Sequence, residues 1–280
     1  MKTTTHIIIS LLAATVVLTL VSPVFDVVPD KPVVYLDKMK TIHVREIADI
    51  VSVDSALENL VSEDNYIVSL EANDSLKDVV VNYPYQFVEV RMQGRTLHLA
   101  LLPTLRGEDM TPLSMELMPN EQASDSVVAG ERLEAVVRIQ MPSAMLRDFL
   151  SRVNHASLRC VSLLVNGVRG DSLSFRRDLN LALADCAFDV AEVTVPGKML
   201  RLSRTKIGKL TFHTVPSGDG GYSSRLETDS AWVDDLLLKG RMDYTFGIDY
   251  ECFGHITVEP TTGYGLDVEL YNIKKKVILK

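Results

Sequence analysis

The residues best suited to chemistry gather near the C-terminus, in Asp243-Tyr244-Thr245-Phe246-Gly247-Ile248-Asp249-Tyr250-Glu251, with Trp232, Asp234 and Asp235 a short way upstream. Carboxylates beside aromatic rings can grip a sugar, or serve as acid and base in glycan cleavage. Alternation gives a simpler account. Tyr244, Phe246, Ile248 and Tyr250 fall on one face of a strand, leaving Asp243, Thr245, Asp249 and Glu251 on the solvated one.

His213 and His255 stand near matching places in two apolar repeats, His213 just after Phe212 and His255 just before Ile256. Their offsets differ and no third ligand type accompanies them, so solvated histidines are expected rather than a metal pair. Cys160, Cys186 and Cys252 are odd in number and widely spaced, which fits neither a disulfide framework nor a zinc site. They read as small buried apolar residues, and which two could pair, if any, stays open. There is no Gly-x-Ser-x-Gly, no His-Glu-x-x-His and no Gly-x-x-x-x-Gly-Lys, and Ser217-Gly218-Asp219-Gly220-Gly221 reads as a loop. No catalytic residue, cofactor or metal is therefore expected. Lys274-Lys275-Lys276 reads as protection of a terminal strand edge, or as a contact to anionic lipid or glycan.

The elements around these residues are mostly strands. Apolar residues make up 46% and aromatic ones only 6%, with Val, Leu and Ile throughout, which favours aliphatic sheets over an aromatic-walled pocket. The formal net charge of -8 sets the average surface against a phosphate backbone, so nucleic acid is excluded as a partner class. Strand alternation is read in Thr41-Ile42-His43-Val44-Arg45 and Tyr66-Ile67-Val68-Ser69-Leu70, and a weak helix in Ala56-Leu57-Glu58-Asn59-Leu60. A hairpin is expected with Phe87 to Met92 and Arg95 to Leu101 as strands and Gln93-Gly94 as the turn, leaving His98 on the polar face. Leu133 to Met141 reads as a strand, and Met145, Phe149 and Val153 predict a short capping helix before the C-terminal array.

Residues Ile7 to Phe25 carry no charge and nearly span a ~30 Å hydrocarbon layer as a helix. Lys2 precedes them and Asp26 and Asp30 follow, which predicts a cytoplasmic N-terminus with the remainder outside. Leu20-Val21-Ser22-Pro23 is a poor cleavage site, so a retained anchor is expected rather than a removed signal.

Past residue 155 an apolar-x-x-apolar-x-apolar pattern returns in Leu158-Val161-Leu163, Val190-Val193-Val195, Ile207-Leu210-Phe212, Val233-Leu236-Leu238 and Phe253-Ile256-Val258. Successive spacings are 32, 17, 26 and 20 residues. One such unit cannot bury its inward face alone, whereas stacked units make a continuous column. The x-x gap is read as the place where the chain bends from one face to the next. An antiparallel sandwich is the competing architecture.

The hairpin Val88-Glu89-Val90-Arg91-Met92-Gln93-Gly94-Arg95-Thr96-Leu97-His98-Leu99, the strand ending Val137-Arg138-Ile139-Gln140-Met141-Pro142 and the apolar repeats resemble the putative auto-transporter adhesin, head GIN domain family of exported bacterial proteins. The resemblance covers Thr41 to Val258 and implies a β-solenoid-like fold, an envelope location and an adhesive role without catalytic residues.

The expected fold class is all-β and β-solenoid-like, with an N-terminal transmembrane or signal helix. The expected organisation is residues 1–25 as anchor or signal, 26–40 as tether, 41–118 as an N-terminal β region, 119–130 as a joint and 131–280 as the repeat-bearing region. The expected function is a non-catalytic envelope binding protein, with a carbohydrate-active enzyme on the same scaffold as the alternative. Its expected partners are an envelope protein or polysaccharide, and the membrane through the N-terminal helix.

Overall fold

Short aliphatic strands bury both their length and their backbone polar groups only when stacked in register. The computed structural model describes residues 33–35, 39–52, 65–102, 116–118, 134–158, 162–215, 224–240, 246–260 and 268–271. The N-terminal strands are β1 (Val33–Tyr35), β2 (Met39–Val44), β3 (Asp49–Ser52), β4 (Asn65–Ala72), β5 (Val79–Pro84), β6 (Val88–Gln93), β7 (Thr96–Leu101), β8 (Glu116–Met118) and β9 (Glu134–Met141). Helix α1 (Ser143–Arg152) follows. The remaining strands are β10 (Ser162–Asn166), β11 (Arg169–Arg176), β12 (Asn180–Ala184), β13 (Ala187–Thr194), β14 (Met199–Ser203), β15 (Lys206–Thr214), β16 (Arg225–Asp229), β17 (Trp232–Gly240), β18 (Phe246–Asp249), β19 (Phe253–Pro260) and β20 (Val268–Tyr271).

From β10 onward the chain coils. Short strands pair in parallel in the order β10-β12-β14-β16, and long ones in the order β11-β13-β15-β17-β19. Each rung is therefore a short strand, a two-residue corner and a long strand. The first sheet continues through β4 and β9, both parallel to the coil strands, and then through antiparallel β5 and β2. One sheet thus carries strands from both sides of the 119–130 segment, which itself lies outside the described residues. Strands β18 and β20 also pair in parallel, Phe246 opposite Val268.

The corners explain how the coil turns. Gly167, Asp185, Arg204 and Ser230 hold φ of 75°, 52°, 46° and 52°, one at each successive corner. This left-handed conformation favours Gly, with Asp among the residues that tolerate it. The next residue at each corner, Val168, Cys186, Thr205 and Ala231, points inward and is buried. Backbone pairing continues round the bend, with Asp185 N donating to Ser203 O at 3.0 Å and Lys206 N donating to Cys186 O at 2.9 Å.

The x-x gap of the repeat lies elsewhere. The pairing register of the second sheet passes over Asp171, Asp189, Gly208, Asp234 and Gly254, so each long strand carries an extra residue in the same column. A stacked β-bulge, not a corner, makes the gap. Inward columns on either side of it are Phe188-Ile207-Val233-Phe253 and Ala191-Leu210-Leu236-Ile256. The three repeats starting at Ile207, Val233 and Phe253 are in true register, whereas Val190 is 46% exposed and its rung is anchored by Phe188, Ala191 and Val193. Successive rungs are 18 residues apart from Gly170 to Phe188, then 19, 26 and 20 through Ile207, Val233 and Phe253. Leu163 belongs to β10 in the first sheet, which removes the first member of the sequence repeat.

Helix α1 closes the open edge of the second sheet. Leu146, Phe149 and Leu150 are buried against the core and Met145 is half-buried. Beyond it, Asn154 imitates a paired strand: its Nδ2 donates to Ser174 O at 3.0 Å and its Oδ1 accepts from Arg176 N at 2.7 Å. Arg177 Nε donates to Val153 O at 2.9 Å, and its Nη2 also donates to Ala156 O. The first rung's edge is thereby denied to another chain.

The hairpin of β6 and β7 pairs Gln93 with Thr96, so the turn residues are Gly94 and Arg95, one position later than expected. Gly94, with φ 62°, takes the first turn position, as a type II′ turn requires. Strand β3 adds to β7 in parallel. Asp49 then ties this small sheet to the segment after α1, accepting from Ser157 N at 3.0 Å and Leu158 N at 2.8 Å.

The fold class needs correction at the N-terminus. No described helix is long and apolar enough to cross a membrane, α1 being ten residues long. The apolar segment 7–25 lies outside the described residues, as does the weak helix at 56–60. The fold therefore gives no support to a membrane anchor, and the envelope location, the single-pass inner-membrane placement and the membrane partnership inferred from it are withdrawn.

Candidate functional site

Outward-facing rows of the second sheet are set by the register. The first outward position of each long strand reads Arg169, Ala187, Lys206, Trp232 across four rungs. The bulge column beside it reads Asp171, Asp189, Gly208, Asp234, Gly254. Where these columns hold Ala187 and Gly208, with Gly170 beside them at the inward-column position opposite Phe188, no large side chain fills the surface, and a cavity of about 770 Å³ opens. Arg147 of α1 closes one end, its Nη1 donating to Arg169 O at 3.3 Å. Phe188 contributes the apolar part of the floor.

The groove thus has two unlike walls. Arg169 and Lys206 stand along one, Asp171, Asp189 and Asp234 along the other, and all five are exposed. Among the described residues neither Arg169 nor Lys206 forms an ion pair with a carboxylate, and neither Asp171 nor Asp189 has a cationic partner, while Arg147 lies in the field of the Asp74 carboxylate. Elsewhere on this face opposite groups close on each other, as His213 Nε2 with Glu192 Oε1 at 3.0 Å, His255 Nδ1 with Asp235 Oδ1 at 3.2 Å, and Lys239 Nζ with Glu259 Oε2 at 3.0 Å. These are exposed pairs of adjacent rungs, each worth about 0–1 kcal/mol.

The sequence candidates divide accordingly. Asp234 lines the groove and accepts from Trp232 Nε1 at 2.7 Å. Asp235 instead belongs to the His255 pair. Asp243, Tyr244 and Thr245 lie outside the described residues, and β18 ends at Asp249, where a 3-10 turn of Tyr250–Cys252 breaks the expected alternation. His213 and His255 sit two rungs apart and face different carboxylates, so the coil does not bring them together. Lys274, Lys275 and Lys276 and the Ser217–Gly221 loop also lie outside the described residues. Among the described residues no three His, Cys, Asp or Glu side chains gather as a metal site.

Cys186 and Cys252 are buried free thiols, while Cys160 lies outside the described residues. Burial pushes the Cys186 thiol up to about 11, and its Sγ sits 3.2 Å from Ala184 O. It behaves as a corner filler, not a nucleophile.

Sequence reasoning missed Arg147, Arg169, Asp171, Asp189 and Lys206. The only signal available was the x-x gap, whose first residue is Asp189, Gly208, Asp234 or Gly254 once the repeat is framed on Phe188.

Comparison with known proteins adds little to this geometry. No family model matches the chain, and no curated protein matches it. Among solved structures, it is similar to a putative adhesin from Parabacteroides distasonis at 10% identity and TM-score 0.29, covering 89% of this chain and 97% of that one. A putative lipid binding protein from the same organism matches at 9% identity and TM-score 0.33, covering 86% and 94%. A putative adhesin from Parabacteroides merdae matches at 8% identity and TM-score 0.25, covering 89% and 99%. The adhesin-like resemblance is weak at these values, and neither family nor function follows from it.

Proposed function

We propose that the chain is a non-catalytic, adhesin-like binding module that holds its ligand in the groove between Arg169 and Asp189. One observation carries this reading: opposite charges line one cavity and stay apart, whereas Lys239 and Glu259 further along the same face close to 3.0 Å. A folded surface gains little by holding such groups apart, whereas a ligand seated between them gains from both. The volume of about 770 Å³ falls within the ~300–1,000 Å³ range of ligand pockets. The floor is rigid, because it is the backbone of three stacked strands sealed by α1.

Ala187→Trp tests the location. Ala187 is a half-buried groove-lining residue at an outward position, so an indole there fills the cavity without entering the core. Ligands found by screening peptides and glycans against the native chain should lose binding to this variant while its melting temperature stays unchanged. Ligands bound equally by both proteins would place the site elsewhere. Turnover of any screened glycan, abolished by Asp189→Asn, would make the protein an enzyme and overturn the binding-module reading.

A further inference from the structure

The geometry points to an occupant of mixed charge: we infer that the groove takes an extended peptide segment of a partner protein carrying both basic and acidic side chains. The inference rests on the groove being the binding site and adds the chemistry of its ligand. The decisive juxtaposition is the cation row Arg169 and Lys206, on the first and third rungs, running beside the carboxylate row Asp171, Asp189 and Asp234, on the first, second and fourth, with Arg147 at the closed end.

A ligand of one sign meets one favourable wall and one repulsive wall. An acidic glycan would satisfy the cations but set its carboxylates against Asp171 and Asp189. A polycation would do the reverse. An extended peptide sends successive side chains to opposite sides, so a segment alternating in charge presents acids to one wall and bases to the other. Length agrees as well. Four rungs at ~4.8 Å separation give a trough of about 14 Å, the span of about four extended residues.

The walls are solvent-exposed, so each pairing contributes modestly and discrimination comes from their sum. Fluorescence anisotropy of labelled twelve-residue peptides at low salt reads it. A peptide alternating Lys and Asp should bind about tenfold more tightly than a poly-Glu or poly-Lys peptide of equal length, and than a uronic acid oligosaccharide. The Arg169→Glu/Lys206→Glu double variant should lose that preference, and Asp171→Asn/Asp189→Asn should weaken the alternating and poly-Lys peptides while tightening poly-Glu.

A single-sign peptide or the uronate binding as tightly as the alternating peptide would overturn the inference. If some ligand is displaced by Ala187→Trp but shows no preference for mixed charge, the ligand class fails while the groove stands as the site. If the alternating peptide binds Ala187→Trp and the native chain alike, the groove itself fails.

Discussion

Gly208 lies so close to Asp189 of the rung before it that a β-carbon built on Gly208 would sit 2.7 Å from the Asp189 carbonyl oxygen. Gly254 stands in the same relation to Asp234, at 2.5 Å. At these two steps of the bulge column the Asp carbonyl turns toward the next rung and leaves no room for a β-carbon there, whereas at the first step Asp189 follows Asp171 with its side chain outward. The column therefore sets the groove's carboxylates and the gaps between them in one stroke.

Gly208→Ala and Gly254→Ala should each destabilise the chain by about 1–3 kcal/mol, the usual cost of forcing an extra carbon against backbone. Gly170→Ala is the control, since its β-carbon would meet side-chain atoms no nearer than 3.6 Å. Urea denaturation of the three variants separates them. Equal midpoints for Gly170→Ala and Gly208→Ala would refute the close-packed column.

Cys186 links stability to alkaline pH. Its folded thiol titrates at about 11, pushed up chiefly by burial, against 9.0 for the unfolded thiol. A raised folded value means that the contribution is intact below pH 9.0 and is lost as pH rises from there through about 11. The full loss is about 2–3 kcal/mol. Unfolding free energies compared at pH 8 and pH 10.5 should show a fall that is smaller in Cys186→Ala. The native thiol should also resist alkylation at pH 8 until denaturant is added.

Much of the coil was legible because the repeats beginning at Ile207, Val233 and Phe253 place large apolar residues at all three inward columns. The preceding rung was misframed for a physical reason. Its middle anchor is Ala191, too small to mark a core position, while Val190 beside it is apolar and faces solvent. The groove left almost no trace in the sequence, because its floor is made by small residues, Gly170, Ala187 and Gly208, that become neighbours only when the strands stack. Arg147 reaches it from a helix that sequence periodicity could place before the array but not against a particular rung. Strand β5 went unread because Val79-Val80-Val81 is continuous rather than alternating; all three are buried.

The corner pair Asp185 and Arg204 should behave as a surface ion pair with a small acid dependence. Arg204 donates through Nε to Oδ1 at 2.9 Å and through Nη2 to Oδ2 at 2.7 Å, and this hydrogen bonding holds the Asp185 carboxyl below its ordinary 3.8. A depressed folded value means that the contribution is present above pH 3.8 and is lost as pH falls through the lower folded value. Both side chains are nearly half exposed, so solvent screening limits the coupling to about 0.5 kcal/mol. A double-mutant cycle with Asp185→Asn and Arg204→Gln at pH 7 measures it. A coupling above about 2 kcal/mol would show that the corners, rather than the aliphatic columns, hold the rungs together.

The groove's closed end depends on a residue far from it in sequence. Helix α1 begins after Pro142 without a side-chain cap of its own, and Asp74 fills that role by accepting from Ser143 N at 2.8 Å. The bond to this amide holds the Asp74 carboxyl below its ordinary 3.8, so the cap acts above that pH and is lost as pH falls through the lower folded value. Asp74→Ala should leave the first-turn amides of α1 unsatisfied and loosen the helix that carries Arg147. Hydrogen exchange at pH 7 should then quicken at the start of α1, with β15 and β17 unchanged. Asp74→Ser, which keeps an acceptor, should restore part of the protection. Because α1 also seals the edge of β11, the same variant should gain exchange in β11 before any other strand of the second sheet, and uniform acceleration across that sheet would show that the helix is not what caps it.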